Sequence, residues 1–286
     1  MNDQMRLSEK AMYCTVKLTC EFEVENEQKF CSGTGFIFKF FRNVKDSYPV
    51  IITNKHVVQN ALRIIFYLNR STSDNFPLHG DPIEIPLGKN AQKQILYHPD
   101  RSIDIAILPI GGIIQYLLDN GDRPYYTGID STTIPNNEQW NKFHALEDVL
   151  VVGYPNNLED DINKLPIFIK GNTATYPLIN FQNKEEFLIN ANVYPGSSGS
   201  PVFLLDDNFY AKSRKYKSGR DKVKLMGVLF SGYNSPVYEY SNSREPIKTK
   251  YFNPMNICRI IRSSKLLDFE SLMEQEIRKI EHEPIK

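Results

Sequence analysis

The sequence predicts an all-β protein made of two β units in tandem and finished by a helical tail. Three observations carry that reading. Short runs rich in Ile, Val, Phe and Tyr recur at fairly regular spacing, a polar stretch without sustained periodicity divides them into two sets, and long helical periodicity is missing until the C-terminus.

The first unit is expected over residues 11–115, where "MYCTVKLTCEFEV", "GTGFIFKFF", "PVIITN", "LRIIFYL", "KQILY" and "DIAILPI" are separated by polar turns. Residues 116–146 follow as a linker, because "LDNGDRPYYTGIDSTTIPNNEQW" gathers Gly, Asp, Asn and Pro. A second unit is expected over 147–252, from "DVLVVGYP", "LPIFIKGNTATY", "EEFLINANV", "SPVFLL" and "KLMGVLFSGY". The tail, 253–286, opens with Asn253 as a helix cap and Pro254 at the first helical position, which predicts a short helix there. Beyond Ser264, Leu272, Met273, Ile277 and Ile280 share one stripe of an amphipathic helix.

A chain of 286 residues with 34 Lys plus Arg and 34 Asp plus Glu carries no formal net charge. That balance gives no electrostatic basis for nucleic acid or an anionic membrane as the principal partner. The basic block at 212–224 reads as a solvated loop between strands. The N-terminus mixes charges and amides where a secretory signal needs an apolar stretch, and no segment has the length of a membrane span, so a cytoplasmic location is expected. Four cysteines, Cys14, Cys20, Cys31 and Cys258, are too few for a disulfide scaffold and form no CxxC pair, and buried thiols are expected. Neither a metal nor an organic cofactor is implied.

Amide hydrolysis by a serine needs a base for the hydroxyl proton, an acid to hold that base in one tautomer, and donors for the developing oxyanion. Three remote segments supply candidates. In "PVIITNKHVVQNA" an apolar strand ends at Thr53 and Asn54, and His56 stands at the following turn; taken alone, it is more often an ordinary packed or surface histidine. In "HPDRSIDIAILPI" Asp104 interrupts an apolar run, where a buried carboxylate needs a partner, although a turn aspartate at a strand start reads equally well. Asp100 is the competing acid, and its neighbours His98 and Pro99 describe a solvent-facing turn. In "NVYPGSSGSPVF" Gly196 and Gly199 bracket Ser198 in a tight turn whose Gly196 and Ser198 amides can converge on one point. Such a cluster alone is usually just a loop. The order His, Asp, Ser across two β units is what raises the three above coincidence.

With those residues in view, the sequence resembles the trypsin-like, chymotrypsin-fold serine peptidases over about residues 11–262. The matching motifs are "GTGFIF" (33–38), "ITNKHVV" (52–58), "DIAIL" (104–108), "VVGYP" (151–155), "PGSSGSPVF" (195–203) and "GVLFSG" (227–232), and "PGSSGSP" and "NKHVV" are nearer to the intracellular and HtrA-type bacterial branches. The resemblance implies two six-stranded antiparallel β-barrels meeting at a cleft. It also implies a triad of His56, Asp104 and Ser198, with Gly196 and Ser198 as oxyanion donors, and a protein or peptide as substrate.

Departures from the digestive members carry their own expectations. Ser197 stands where those enzymes place the Asp that pairs with a new N-terminus, so activation by trimming is not expected. Phe230 replaces a small hydroxyl residue that often supports the triad. Asn192, six residues before Ser198, is neutral where trypsin-like members carry an acid, which points to an uncharged side chain before the cut bond. Asn192, Tyr194 and Gly232 are the expected pocket residues. The alternative is a protease-like binding module, inactive or switched on by an activating partner protein, for which the polar linker and helical tail leave room.

Overall fold

A computed structural model describes residues 6–41, 48–205, 224–240 and 246–282, and side chains for the same residues except 235–254 and 279–282. After a short helix, α1 (Leu7–Tyr13), come β1 (Thr15–Val24), β2 (Glu27–Phe40), β3 (Tyr48–Thr53), the one-turn helix α2 (Lys55–Val58), β4 (Arg63–Ser71), β5 (Pro77–Leu87), β6 (Leu96–Tyr97) and β7 (Ala106–Pro109). These strands lie in the order β5-β4-β1-β2-β3-β7-β6. The helix α3 (Gly111–Asp119), β8 (Pro124–Tyr125), β9 (Ile129–Asp130) and the capped turn α4 (Asn137–Trp140) follow. The second unit comprises β10 (Asp148–Gly153), β11 (Ile167–Thr173), β12 (Glu186–Ala191), β13 (Pro201–Leu204), β14 (Leu225–Tyr240) and β15 (Pro246–Arg262), closed as a barrel in the order β10-β11-β12-β15-β14-β13.

The all-β class, the two units and the terminal helix are as expected, and the closed six-stranded barrel is the second unit. The first unit differs in strand number: among the described residues it is a nine-stranded sheet, because β8 pairs with β4 and β9 pairs in parallel with β2. Both of those strands come from the expected linker. A two-residue strand has no period to read in a sequence; Tyr125 and Ile129 are held there by burial in the fold.

The helix expected at Asn253 is absent: β15 runs through this segment to Arg262, and Ile257 to Ile261 pair with β12 on one side while Cys258 to Arg262 pair with β14 on the other. Three β-branched isoleucines with neighbours on both flanks outweigh a local Asn-Pro cap, because cross-strand packing is worth more than a single helix start. The predicted amphipathic helix is present as α5 (Glu270–His282), and its Met273 is buried. Ile280's side chain and residues 212–223 of the basic block lie outside the described residues.

Strand alternation feeds three cores at once. Phe36, Phe38, Phe40, Val50, Ile52, Ile105 and Ile107 of the first unit meet Leu150, Val152, Phe203, Val228 and Ile261 of the second in one shared cluster. The intervening Ile37, Ile51, Ala106 and Leu108 face a core of the first unit alone, and Val149, Val151, Val202 and Met226 face one of the second. Strands buried on both faces read as unbroken apolar runs, which is why "PVIIT", "IAIL" and "VLVV" show no polar alternation. Leu266, Phe269 and Met273 enter the shared cluster, so the C-terminal segment packs over the seam.

Two polar features fasten that seam. His98 is buried, against the expectation of a solvent-facing turn. Its Nδ1 accepts from the Asp100 amide at 3.0 Å, its Nε2 lies 3.2 Å from the Lys265 carbonyl and from Asp268, and its ring meets Phe269 edge-on. Tyr154 is 1% exposed, and its hydroxyl lies 3.2 Å from the Thr15 carbonyl and 3.0 Å from the Lys164 carbonyl. Tyr154→Phe leaves both carbonyls without that donor and should lower stability by about 1–2 kcal/mol, read from a urea unfolding midpoint. Among the described residues no helix is long and apolar enough to cross a membrane.

Candidate active site

The first part of the site is built where β3 ends. Asn54, fully buried, stands at the N-cap position of α2 and donates from Nδ2 to the Asp104 carbonyl at 2.7 Å, tying the start of α2 to the segment that leads into β7. His56 is the second residue of α2. Its backbone amide donates to Asp104 Oδ1 at 3.0 Å, and its Nδ1 stands 2.5 Å from Asp104 Oδ2. One carboxylate thus holds both the main chain and the ring of the same residue. An acceptor-only carboxylate at Nδ1 selects the tautomer with its proton there and leaves the Nε2 lone pair available on the other side of the ring. The His56 side chain is half exposed, so that nitrogen can be reached from solvent. Asp100, the competing acid, instead accepts from the Ser102 amide and hydroxyl and lies on the surface.

The second part is the turn between β12 and β13. Gly196 and Gly199 have φ of +94° and +89°, values an L side chain rarely adopts. Within this turn the amides of Ser197, Gly199 and Ser200 donate to the carbonyls of Tyr194, Leu229 and Ser197, whereas among the described residues those of Gly196 and Ser198 donate to none. Ser197 and Ser200 are buried and Ser198 is partly exposed.

Thr34, fully buried in β2, joins the two parts. Its amide donates to the Ser198 carbonyl at 2.8 Å, its hydroxyl donates to the Gly196 carbonyl at 2.9 Å and accepts from the Tyr154 amide at 3.2 Å, and its carbonyl accepts from the Thr53 hydroxyl at 2.8 Å. Thr53 is three residues from His56. A serine turn from the second unit and a histidine turn from the first are therefore hung on one threonine. Gly33 permits this approach, since a Cβ there would stand 2.4 Å from Val57 Cγ1, beside His56.

The structure thus joins His56 and Asp104 by two hydrogen bonds and places the Ser198 turn against the same strand ends. No hydrogen bond links Ser198 to His56 among the described residues, and in ligand-free enzymes such contacts often tighten only with substrate in place. Phe230 packs against the shared core with the Arg259 guanidinium 5.0 Å from its ring centre. Of the expected pocket residues, Tyr194 and Gly232 line a cavity of about 160 Å³ together with Ser198, Ser231, Asn234 and Asn256. Asn192 is exposed and is not among the lining residues. Among the described residues no group of three His, Cys, Asp or Glu could hold a metal ion. Sequence reasoning missed Thr34, Thr53 and Asn54; the signal was the pair of glycines flanking Thr34 and the polar "TN" that interrupts an apolar strand just before His56.

Two β units with their seam at a histidine-carboxylate pair and a double-glycine serine turn define the chymotrypsin-like class. The chain belongs to the trypsin-like peptidase domain family, whose model matches residues 33–211 and so spans Thr34, His56, Asp104 and the Ser198 turn. Among solved structures, the chain is similar to the active form of the Rv3671c protease from M. tuberculosis, at 17% identity over 91% of this chain and 81% of that one, with a TM-score of 0.46. It is also similar to a thermostable serine protease, AL20, from an extremophilic microorganism, at 14% identity over 91% and 96% of the two chains, with a TM-score of 0.46. No curated protein matches the chain.

Proposed function

We propose that this protein is a serine endopeptidase that cleaves peptide bonds through an acyl-enzyme on Ser198. In this reading His56 Nε2 takes the Ser198 hydroxyl proton as the oxygen attacks the carbonyl carbon, then passes it to the departing amine; water repeats the sequence to release the acyl group. Asp104 stays ionised and holds the ring. The Gly196 and Ser198 amides receive the oxyanion. The observation that carries the reading is the double grip of Asp104 on His56 beside a serine turn whose two relevant amides are uncommitted.

A fluorophosphonate probe tests it. The expected result is one adduct, mapped to the Ser198 peptide and lost in Ser198→Ala. Folded protein that takes no adduct would leave a protease-like binding module as the better reading.

The cavity next to Ser198 has no charged residue among its described lining, and its volume of about 160 Å³ suits a small or medium side chain. The proposed specificity is accordingly for an uncharged residue before the cut bond. A Cβ on Gly232 would meet nothing closer than 3.9 Å, so a side chain there projects into open space instead of straining the barrel. Gly232→Phe should fill the pocket and lower kcat/KM on the best wild-type peptide by about 10-fold or more while leaving fluorophosphonate labelling of Ser198 in place. Unchanged peptide selectivity in that variant would remove Gly232 from the pocket.

A further inference from the structure

Cys20 and Cys31 are direct partners across the antiparallel β1–β2 ladder, so their side chains lie on the same face of the sheet. Cα atoms of opposed residues in such a ladder stand about 4.5–5.5 Å apart, within the range a disulfide spans, and little backbone movement separates two thiols from a bond. The two differ sharply in setting. Cys20 is fully buried, whereas Cys31 is exposed, with its sulfur 4.0 Å from the carbonyl of Val57, the residue after His56. The other cysteines, Cys14 and Cys258, are buried with no thiol partner among the described residues.

We propose that Cys20 and Cys31 form a reversible oxidation site for hydroperoxides, with Cys31 as the attacking thiolate and Cys20 as the resolving thiol. The Cys31 sulfur attacks one oxygen of the hydroperoxide; an S–O bond forms, the O–O bond breaks, and the departing alkoxide takes up a proton as the alcohol, or as water when the oxidant is hydrogen peroxide. The Cys20 sulfur then attacks the sulfenic sulfur of Cys31. An S–S bond forms, the S–O bond breaks, and hydroxide leaves with the Cys20 proton as water. Two thiols lose two electrons and two protons, and one hydroperoxide is reduced.

The division of labour follows from environment. The hydrogen bond from the Cys20 thiol, aided by the His56 ring when it is protonated, brings the Cys31 thiol down to about 7. The same contact together with burial pushes Cys20 upward, and desolvation lifts Cys14 and Cys258 to about 12. At neutral pH the thiolate is therefore concentrated at the one sulfur that solvent can reach. The site lies outside the proposed triad, and it stands or falls independently of Ser198 labelling.

Hydrogen peroxide treatment of the full chain at pH 7, followed by alkylation and non-reducing peptide mapping, tests the proposal. The expected product is a linked Cys20–Cys31 peptide that dithiothreitol releases, with two of the four free thiols consumed. In the reduced protein, iodoacetamide should modify Cys31 about 100-fold or more faster than Cys14 or Cys258. Cys31→Ser changes only an exposed position and should leave the remaining three thiols reduced under the same treatment. A linkage using Cys14 or Cys258, oxidation of Cys31 that never joins Cys20, or four thiols left intact would each overturn the assignment.

Discussion

Asp104→Asn should slow phosphonylation of Ser198 by about 10³- to 10⁴-fold without unfolding the protein. The carboxylate accepts from the His56 amide at 3.0 Å and from its Nδ1 at 2.5 Å. An asparagine keeps the size, and its carbonyl oxygen can satisfy only one of those two donors. If that oxygen stays with the backbone amide, the NH₂ group faces Nδ1 and imposes the tautomer whose proton sits on Nε2, where the proposed base needs a lone pair. The measurement is the second-order rate constant for inactivation by a fluorophosphonate, with circular dichroism as the fold control. A rate within tenfold of wild type would show that His56 is oriented by something other than Asp104.

Gly199→Ala should cost about 3 kcal/mol or more of stability and abolish probe labelling in whatever protein remains folded. The added Cβ would stand 2.0 Å from the Thr34 carbonyl oxygen and 2.6 Å from the Thr53 hydroxyl, at a φ of +89°. The first neighbour is backbone in a strand paired on both sides, and it cannot turn aside as a flexible side chain could. Relief requires the turn to lift away from β2, which breaks the bond from the Thr34 amide to the Ser198 carbonyl. A urea midpoint and labelling rate equal to wild type would remove both the strain and the role of the turn.

The sequence was most legible where a residue type is forced by local geometry. Gly196 and Gly199 both sit at positive φ, and Asp104 opens an apolar run because it is bonded to His56. Less was legible where the decisive partner is remote in the chain. Asn253 and Pro254 make a sound local helix start, yet the segment is strand because β12 and β14 flank it. His98 looks like part of a surface turn until the C-terminal segment folds over it. Tyr125 and Ile129 carry too short a pattern to announce strands at all. Thr34 is the hardest case, since no property of a lone threonine between two glycines says that all its polar groups will serve partners up to 164 residues away.

That threonine makes docking and site assembly a single event. The carbonyls of Gly196 and Ser198 accept from the Thr34 hydroxyl and amide, so the bend that carries them is held in this shape only while the halves are in contact. A fluctuation that parted the two units would leave each β framework intact and still undo the serine bend. Its local stability can be no greater than that of the seam. Pressure, mild denaturant or a ligand wedged between the halves should all act on the serine bend before they act on either sheet.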